Sequence, residues 1–169
     1  DNETIISSFN SIFDTELRFN DQWKLSSQVG IQWDQSSQEQ YVGENTFNMR
    51  NIREDSSYDE NQYIVPKGGM HTVNNATTSQ ITWKVQGEYK NTFNDIHDIQ
   101  IMAGSEIRKN WYNTQFTAGY GYDPKTLTTK PLNIRNDKDA EKYKLHTKTY
   151  QENAFASFYT TGSYSFMSR

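Results

Sequence analysis

The sequence has no cysteine, and none of its apolar runs approaches the length of about 18 residues that a membrane-spanning helix needs. The lack of cysteine excludes a disulfide framework, a thiolate zinc site and a cysteine nucleophile. Lysine and arginine are scattered and the formal net charge is −4, so the clustered basic surface of a nucleic-acid-binding protein is missing as well. Leucine is scarce, but aromatic residues reach 14%, whereas disordered chains are poor in them. A folded, polar, aromatic-rich chain remains.

A strict alternation of apolar and polar residues is the clearest pattern that is present. Every second position from Trp23 to Trp33 is apolar or small, and the positions between them are polar or glycine. A helix would scatter these residues around its axis, whereas a strand places them on one face. The segment is therefore predicted to be a strand with one apolar and one polar face.

The same alternation recurs along the chain and predicts an all-β fold without an amphipathic helix. A further strand is expected to begin at Tyr164. The predicted strands are 11–19, 23–34, 79–92, 97–109 and 148–161.

The connections between these strands alternate in length. Residues 20–22 and 93–96 are of hairpin size and carry Asn or Asp, which tolerate the backbone angles of tight turns. Residues 35–78 and 110–147 are far longer than the roughly 15 residues above which loops without secondary structure become uncommon. Short turns at one end and long loops at the other are typical of outer-membrane barrels. The pattern predicts an antiparallel up-and-down meander, part of a large outer-membrane β-barrel with two long extracellular loops.

The spacing of two tryptophans fits a lipid-facing strand. Trp23 and Trp33 lie on the same predicted face, and their separation corresponds to roughly 25 Å along the membrane normal for a strand tilted by about 40°. This is the height of the apolar band between the two aromatic girdles of a barrel. A complete soluble β-sandwich or a lipocalin-like binding protein also has alternating strands and stays open as the alternative.

Three stretches resemble the SusC/RagA family, the TonB-dependent outer-membrane receptors of Bacteroidetes. They are Phe93–Glu106 with His97 and Gly104, Glu152–Tyr159 followed by Tyr164, Phe166 and Arg169, and the opening hairpin with Asn10, Glu16 and Trp23–Leu25. The resemblance implies a 22-stranded barrel in the bacterial outer membrane that takes up glycans or peptides. It also implies a SusD-like surface lipoprotein as partner and coupling to TonB.

The family's plug region and TonB box are missing from the sequence, which opens at Asp1 without a methionine. Five or six strands cannot close a barrel, for which about eight are needed. We therefore expect residues 1–169 to be a single partial segment from the interior of the barrel wall, reaching TonB only through the plug region.

Neither catalysis nor metal binding is indicated by motif. His71, His97 and His146 are too widely spaced for a metal site, and no nucleophile–base arrangement is recognisable. The carboxylates of the first long loop, Glu39 and Glu44 among them, are expected to be solvated. The sequence predicts a protein that is not an enzyme and binds no cofactor.

The long loops are better candidates for a functional site than the histidines and carboxylates, because they combine aromatic residues with Asn, Gln and Asp. Aromatic rings stack on sugars or on peptide side chains, and the polar neighbours bond hydroxyl and amide groups. Contact with a ligand, contact with a protein partner and packing of the loops on each other all remain open. The candidate ligand-binding residues are Tyr41, Tyr58, Tyr63, Trp111, Tyr112, Tyr120 and Tyr122.

Overall fold

Five long strands form one antiparallel sheet in residues 2–166, the part of the chain that the computed structural model describes. The elements in chain order are β1 (Asn2–Arg18), β2 (Trp23–Val42), α1 (Phe47–Glu54), β3 (Ser57–Asp59), β4 (Gln62–Tyr63), β5 (Gly69–Phe93), β6 (His97–Tyr122), α2 (Asp137–Lys142) and β7 (His146–Phe166). The order in the sheet is β1-β2-β5-β6-β7, so each long strand lies beside the next long strand of the chain. This confirms the predicted all-β, up-and-down meander.

Both predicted hairpin turns are present. The side-chain oxygen of Asn20 accepts hydrogen bonds from the backbone N–H groups of Gln22 and Trp23, at 2.9 and 2.8 Å. At the second turn Asn94 and Asp95 have φ angles of 53° and 59°. Two successive left-handed residues match the right-handed twist of the flanking strands, and Asn and Asp tolerate this conformation.

The prediction that residues 35–78 and 110–147 are loops is wrong at both ends of each segment. β2 continues to Val42, β5 begins at Gly69, β6 continues to Tyr122 and β7 begins at His146, so the loops are residues 43–68 and 123–145. Gln, Ser, Asn and Thr make up about half of the added strand residues. Residues 35–42 of β2 carry Gln and Ser on both faces, so their sequence shows no alternation and backbone pairing holds them in the sheet.

Two short helices lie in these loops, where no helix was predicted. The hydroxyl of Thr46 caps α1 by accepting from the N–H of Met49 at 3.2 Å, and the side chain of Asn136 caps α2 by accepting from the N–H of Asp139 at 3.0 Å. One or two turns are too short for a helical period to be recognised. No helix in residues 2–166 is long and apolar enough to cross a membrane.

The last strand is a single element. Tyr164 lies inside β7 and begins no further strand, because backbone pairing continues through the polar segment 160–163. Arg169, which closes the third family-like stretch, is outside the described residues.

The chain divides into two compact units. Unit 1 comprises residues 2–7, 35–77 and 113–150, and unit 2 comprises residues 8–34, 78–112 and 151–166. Unit 1 contains both helices and both loops, and unit 2 contains both tight turns.

Unit 1 has a small hydrophobic core. Val65 and Met49 are almost completely buried in it, together with Val42, Ile64 and Tyr143. The backbone N–H of Ile64 donates to the carbonyl of Ser56, and the N–H of Asn133 donates to the carbonyl of Ile64, both at 2.9 Å. The core therefore joins the first loop, including α1, to the second.

Unit 2 is a sheet with an uncovered apolar face. No apolar side chain of its described residues is buried. Trp23, Trp83 and Ile101 expose 51%, 50% and 48% of their surface, although alternation puts all three on apolar faces. Globular proteins seldom leave such contiguous apolar patches uncovered unless the patch is an interaction surface.

Candidate functional site

Three rings are grouped in unit 1, with Tyr122 between Tyr41 and His71. The imidazole of His71 stacks on the Tyr122 ring with 4.8 Å between centroids and 21° between planes. Tyr41 meets Tyr122 edge-on at 5.6 Å and 62°. The structure thus brings together two of the predicted site residues, Tyr41 and Tyr122.

Gly121 places Tyr122 in this group. Alternation along β6 would put Tyr120 and Tyr122 on one face, yet Tyr120 packs against the core while Tyr122 contacts Tyr41 and His71. Between them Gly121 has a φ angle of 64°, a conformation that glycine adopts at no steric cost. This left-handed residue acts like a bulge and turns the Tyr122 ring to the other side of the strand.

Two further glycines make room for these rings. A Cβ atom at Gly69 would lie 2.8 Å from Cε2 of Tyr41 and 2.7 Å from the carbonyl oxygen of Val42. A Cβ atom at Gly68 would lie 2.6 Å from the carbonyl carbon of Gly121. The Tyr41 ring therefore rests against a backbone that tolerates no side chain.

Acidic groups lie beside the rings. Nε2 of His71 is 2.8 Å from Oε1 of Glu39, and because a carboxylate only accepts, Nε2 carries the proton. The three rings, Glu39, Glu3 and Pro124 line an open groove of about 290 Å³. We call these six residues the tyrosine groove. It contains no lysine or arginine among its lining residues.

Two other predicted site residues, Tyr58 and Tyr63, support the loops instead. The Arg135 guanidinium lies 3.6 Å from the ring centroid of Tyr58, whose hydroxyl accepts from Nδ2 of Asn133 at 2.6 Å. Tyr63 lies beneath the Arg53 guanidinium at 4.5 Å.

Tyr120 contributes to the core of the same unit. Its ring meets Tyr143 edge-on at 6.2 Å, and both residues belong to or pack against the core cluster. Burial raises the pKa of the Tyr120 phenol, and the nearby Tyr143 adds to the shift.

Trp111 and Tyr112 belong to unit 2 and are not part of the tyrosine groove. Nζ of Lys109 lies 5.2 Å from the centroid of the Trp111 ring and pairs with Oε1 of Glu152 at 2.5 Å. The side chain of Tyr112 is exposed.

The groove also contains residues that the sequence did not single out for ligand contact, namely Glu3, Glu39, His71 and Pro124. One signal for two of them, Glu39 and His71, was available. Glu39, Tyr41 and His71 have odd numbers on neighbouring strands β2 and β5, so extending the strands would have placed them on one face.

Unit 2 presents a second surface, its apolar face. At the tight-turn end of the sheet, Trp23 packs on Tyr89 with 4.7 Å between ring centroids. His97 stacks on Tyr164 at 5.9 Å, and Nδ1 of His97 is 2.8 Å from the Tyr164 hydroxyl. Farther along the face, Nε1 of Trp83 donates to Oγ of Ser27 at 3.1 Å.

The other face of unit 2 is a connected polar network. Nζ of Lys24 lies 3.3 Å from Glu16 and 3.5 Å from Glu88. Gln86 donates to Glu88 at 2.7 Å, and the Tyr159 hydroxyl donates to Gln86 at 3.1 Å. This face suits contact with water.

Within residues 2–166, no three His, Asp or Glu side chains are grouped as metal ligands would be.

The comparisons with known proteins give structural matches only. No family model and no curated protein sequence matches the chain. The chain is similar in structure to part of the RagAB peptide transporter, with a TM-score of 0.70 and 15% identity. The RagAB peptide importer gives 0.66 and 14% in its closed-closed state, and 0.69 and 15% in its open-open state.

Each match covers 98% of this chain but only 16% of the RagAB chain. At this level of identity the similarity establishes the fold, an antiparallel all-β segment like one found in a much longer transporter chain.

Proposed function

We propose that this chain is part of the barrel wall of a SusC-like, TonB-dependent receptor for nutrient uptake across the bacterial outer membrane. In this proposal the apolar face of unit 2 contacts lipid and its polar face borders the water-filled lumen. The loops of unit 1 contact ligand or a SusD-like surface lipoprotein. The role is one of transport and binding, without catalysis.

The uncovered apolar face of unit 2 is the observation that carries the proposal. Tryptophan and tyrosine are enriched at the level of lipid headgroups, and Trp23 and Tyr89 form such a pair at the tight-turn end. In the hydrocarbon region no water is available to polar groups, so each must find a partner within the protein. The indole N–H of Trp83 has such a partner in Ser27.

The structural neighbours support the proposed substrate class. RagAB is a peptide transporter, and this chain has the fold of a segment that makes up 16% of the RagAB chain. We propose that the whole receptor, of which this chain is a part, takes up peptides. Glycans are the other substrate class of the family. TonB coupling would act through the plug region of that receptor.

A soluble β-sandwich explains the same strands less well. A sandwich needs a second sheet packed about 10 Å away on the apolar face. The second sheet in residues 2–166 has two strands, β3 and β4, of three and two residues. Both lie in unit 1 and belong to the first loop.

Quenching of tryptophan fluorescence by brominated lipid tests the proposal. The chain has four tryptophans, and variants that keep only Trp83 or only Trp23 report on two depths of one face. In vesicles that contain the whole receptor, with its other tryptophans replaced, we expect Trp83 to be quenched most by bromine deep in the acyl chain. Trp23 should be quenched most by bromine near the headgroups.

A variant that keeps only Trp111, near the end of the 78–112 range of unit 2, is the matched control. Acrylamide in the water phase reports on the exposure of each tryptophan to solvent. Insensitivity of Trp23 and Trp83 to the depth of bromination would contradict the proposal and favour the soluble β-protein.

A further inference from the structure

We propose that the tyrosine groove of unit 1 binds an organic cation, an alkylammonium or guanidinium group. The inference rests on the proposed ligand contact of unit 1 and extends it to a chemical class. It depends on unit 1 alone and not on the lipid contact of unit 2.

The aromatic rings form two walls suited to a cation. Tyr41 and Tyr122 meet at 62° with 5.6 Å between their centroids, which gives a corner rather than a stack. The faces of aromatic rings carry partial negative charge and attract ammonium and guanidinium groups that approach within about 6 Å of the centroid. Because His71 stacks on one face of Tyr122, the ring surfaces left for a bound cation are on Tyr41 and on the side of Tyr122 away from His71.

The charge of the groove points the same way. Glu3 and Glu39 both line it, and no lysine or arginine does. Glu39 accepts the hydrogen bond of Nε2 of His71 at 2.8 Å. With two carboxylates and no lysine or arginine in its lining, the groove favours a cationic ligand over an anionic one.

A diffuse cation fits better than a metal ion. Calcium takes six to eight oxygen ligands and magnesium demands six in near-octahedral geometry. The groove has two carboxylates, one of them engaged by His71, and Glu3 and Glu39 are not grouped with a third acidic side chain within residues 2–166. Alkylammonium and guanidinium groups need only ring faces and nearby negative charge.

The backbone keeps the groove open and the rings fixed. Gly69 lies directly under Tyr41, and Gly121 turns Tyr122 away from the core toward His71. Both rings therefore hold their positions before a ligand arrives, which lowers the entropy lost on binding. The volume of about 290 Å³ accommodates a small cationic group and not a whole drug-sized molecule.

Choline and its neutral isostere, 3,3-dimethyl-1-butanol, test the inference on the purified protein in detergent solution by isothermal titration calorimetry. The two probes share a shape and differ in charge. We expect saturable binding of choline and binding of the isostere that is weaker by about tenfold. Guanidinium-bearing N-acetylarginine amide should compete with choline.

Three variants assign the signal to the groove. Tyr122→Leu removes a ring and should weaken choline binding by about tenfold, whereas Tyr122→Phe keeps the ring and should retain it. Glu39→Gln keeps an acceptor for His71 but removes the charge, and should weaken binding several-fold. Glu60→Gln removes an exposed carboxylate of the β3–β4 turn in the same unit and should leave binding unchanged.

Absence of choline binding, or equal affinity for choline and the isostere, would overturn the inference. Equal binding by Tyr122→Leu and Tyr122→Phe would do the same. Circular dichroism of the Tyr122→Phe and Glu39→Gln proteins verifies that they are folded. The brominated-lipid experiment is independent of these results, so either proposal can fail without the other.

Discussion

The indole N–H of Trp83 donates to the hydroxyl of Ser27 at 3.1 Å, across two neighbouring strands of the exposed apolar face. Ser27 is the one polar side chain among the apolar positions between Trp23 and Trp33. The one polar residue that interrupts the apolar face of this segment is thus hydrogen-bonded to Trp83. In a bilayer this hydrogen bond would pair the indole N–H, which finds no water there.

We expect Ser27→Ala to reduce the free energy of unfolding by about 1–3 kcal/mol in a bilayer or detergent micelle. The reason is the cost of leaving the Trp83 donor unpaired in an apolar environment. Urea unfolding followed by tryptophan fluorescence measures the change. Trp83→Phe removes the donor, so adding Ser27→Ala to it should cost little. Equal costs of Ser27→Ala in both backgrounds would show that the hydrogen bond contributes nothing.

Strand β2 was predictable where one of its faces is apolar and not where both are polar. The positions from Trp23 to Trp33 alternate, and β2 begins at Trp23 as predicted. The strand then continues through residues 35–42, where Gln and Ser on both faces give no period. Backbone hydrogen bonds and the neighbouring strand hold that part, and neither is visible in the pattern of side chains.

The tyrosine groove was only partly predictable for a related reason. Tyr41 and Tyr122 were candidates because they are aromatic residues of the two predicted loops. Their meeting depends on the strand continuing past residue 34 and on the left-handed Gly121, which reverses the face of Tyr122. A glycine in a strand indicates a bulge, but the sequence does not say which way the chain turns afterwards.

We expect Gly121→Ala to lower the stability of unit 1 by about 1–3 kcal/mol. The new Cβ atom would meet Cβ of Lys130 at 2.8 Å and Cγ of Pro66 at 2.9 Å, and the φ of 64° disfavours any residue with a side chain. Gly162→Ala is the matched control, because a Cβ atom there has no neighbour within 4 Å. Urea unfolding compares the two. Equal losses at both positions would contradict the role of Gly121.

Met49→Ala should loosen the first loop. Met49 exposes only 2% of its surface in the core of unit 1, so the truncation leaves a cavity that costs about 2–5 kcal/mol. Phe47→Ala in the same helix is the control, since Phe47 is 73% exposed and the change should cost less than about 0.5 kcal/mol. Limited proteolysis of residues 43–68 measures the difference. Similar cleavage rates in the two variants would show that the core does not hold the loop.

Tyr120 makes the stability of unit 1 sensitive to alkaline pH. Burial, with a contribution from Tyr143, raises the pKa of its phenol in the folded protein above the ordinary value near 10. Below pH 10 the phenol is neutral in both states, so the stability is fully present there. As the pH rises above 10, the unfolded chain releases its proton first and the folded state loses stability until its own phenol ionises.

We therefore expect Tyr120→Phe to flatten the decline of the free energy of unfolding as the pH rises from about 10 to about 11, where the unfolded phenol ionises. Tyr112→Phe is the control, because Tyr112 is exposed and lies in unit 2. Urea denaturation at steps of half a pH unit gives the two profiles. If Tyr120→Phe kept the slope of the unmodified protein, the burial of this phenol would not be the cause of the alkaline loss.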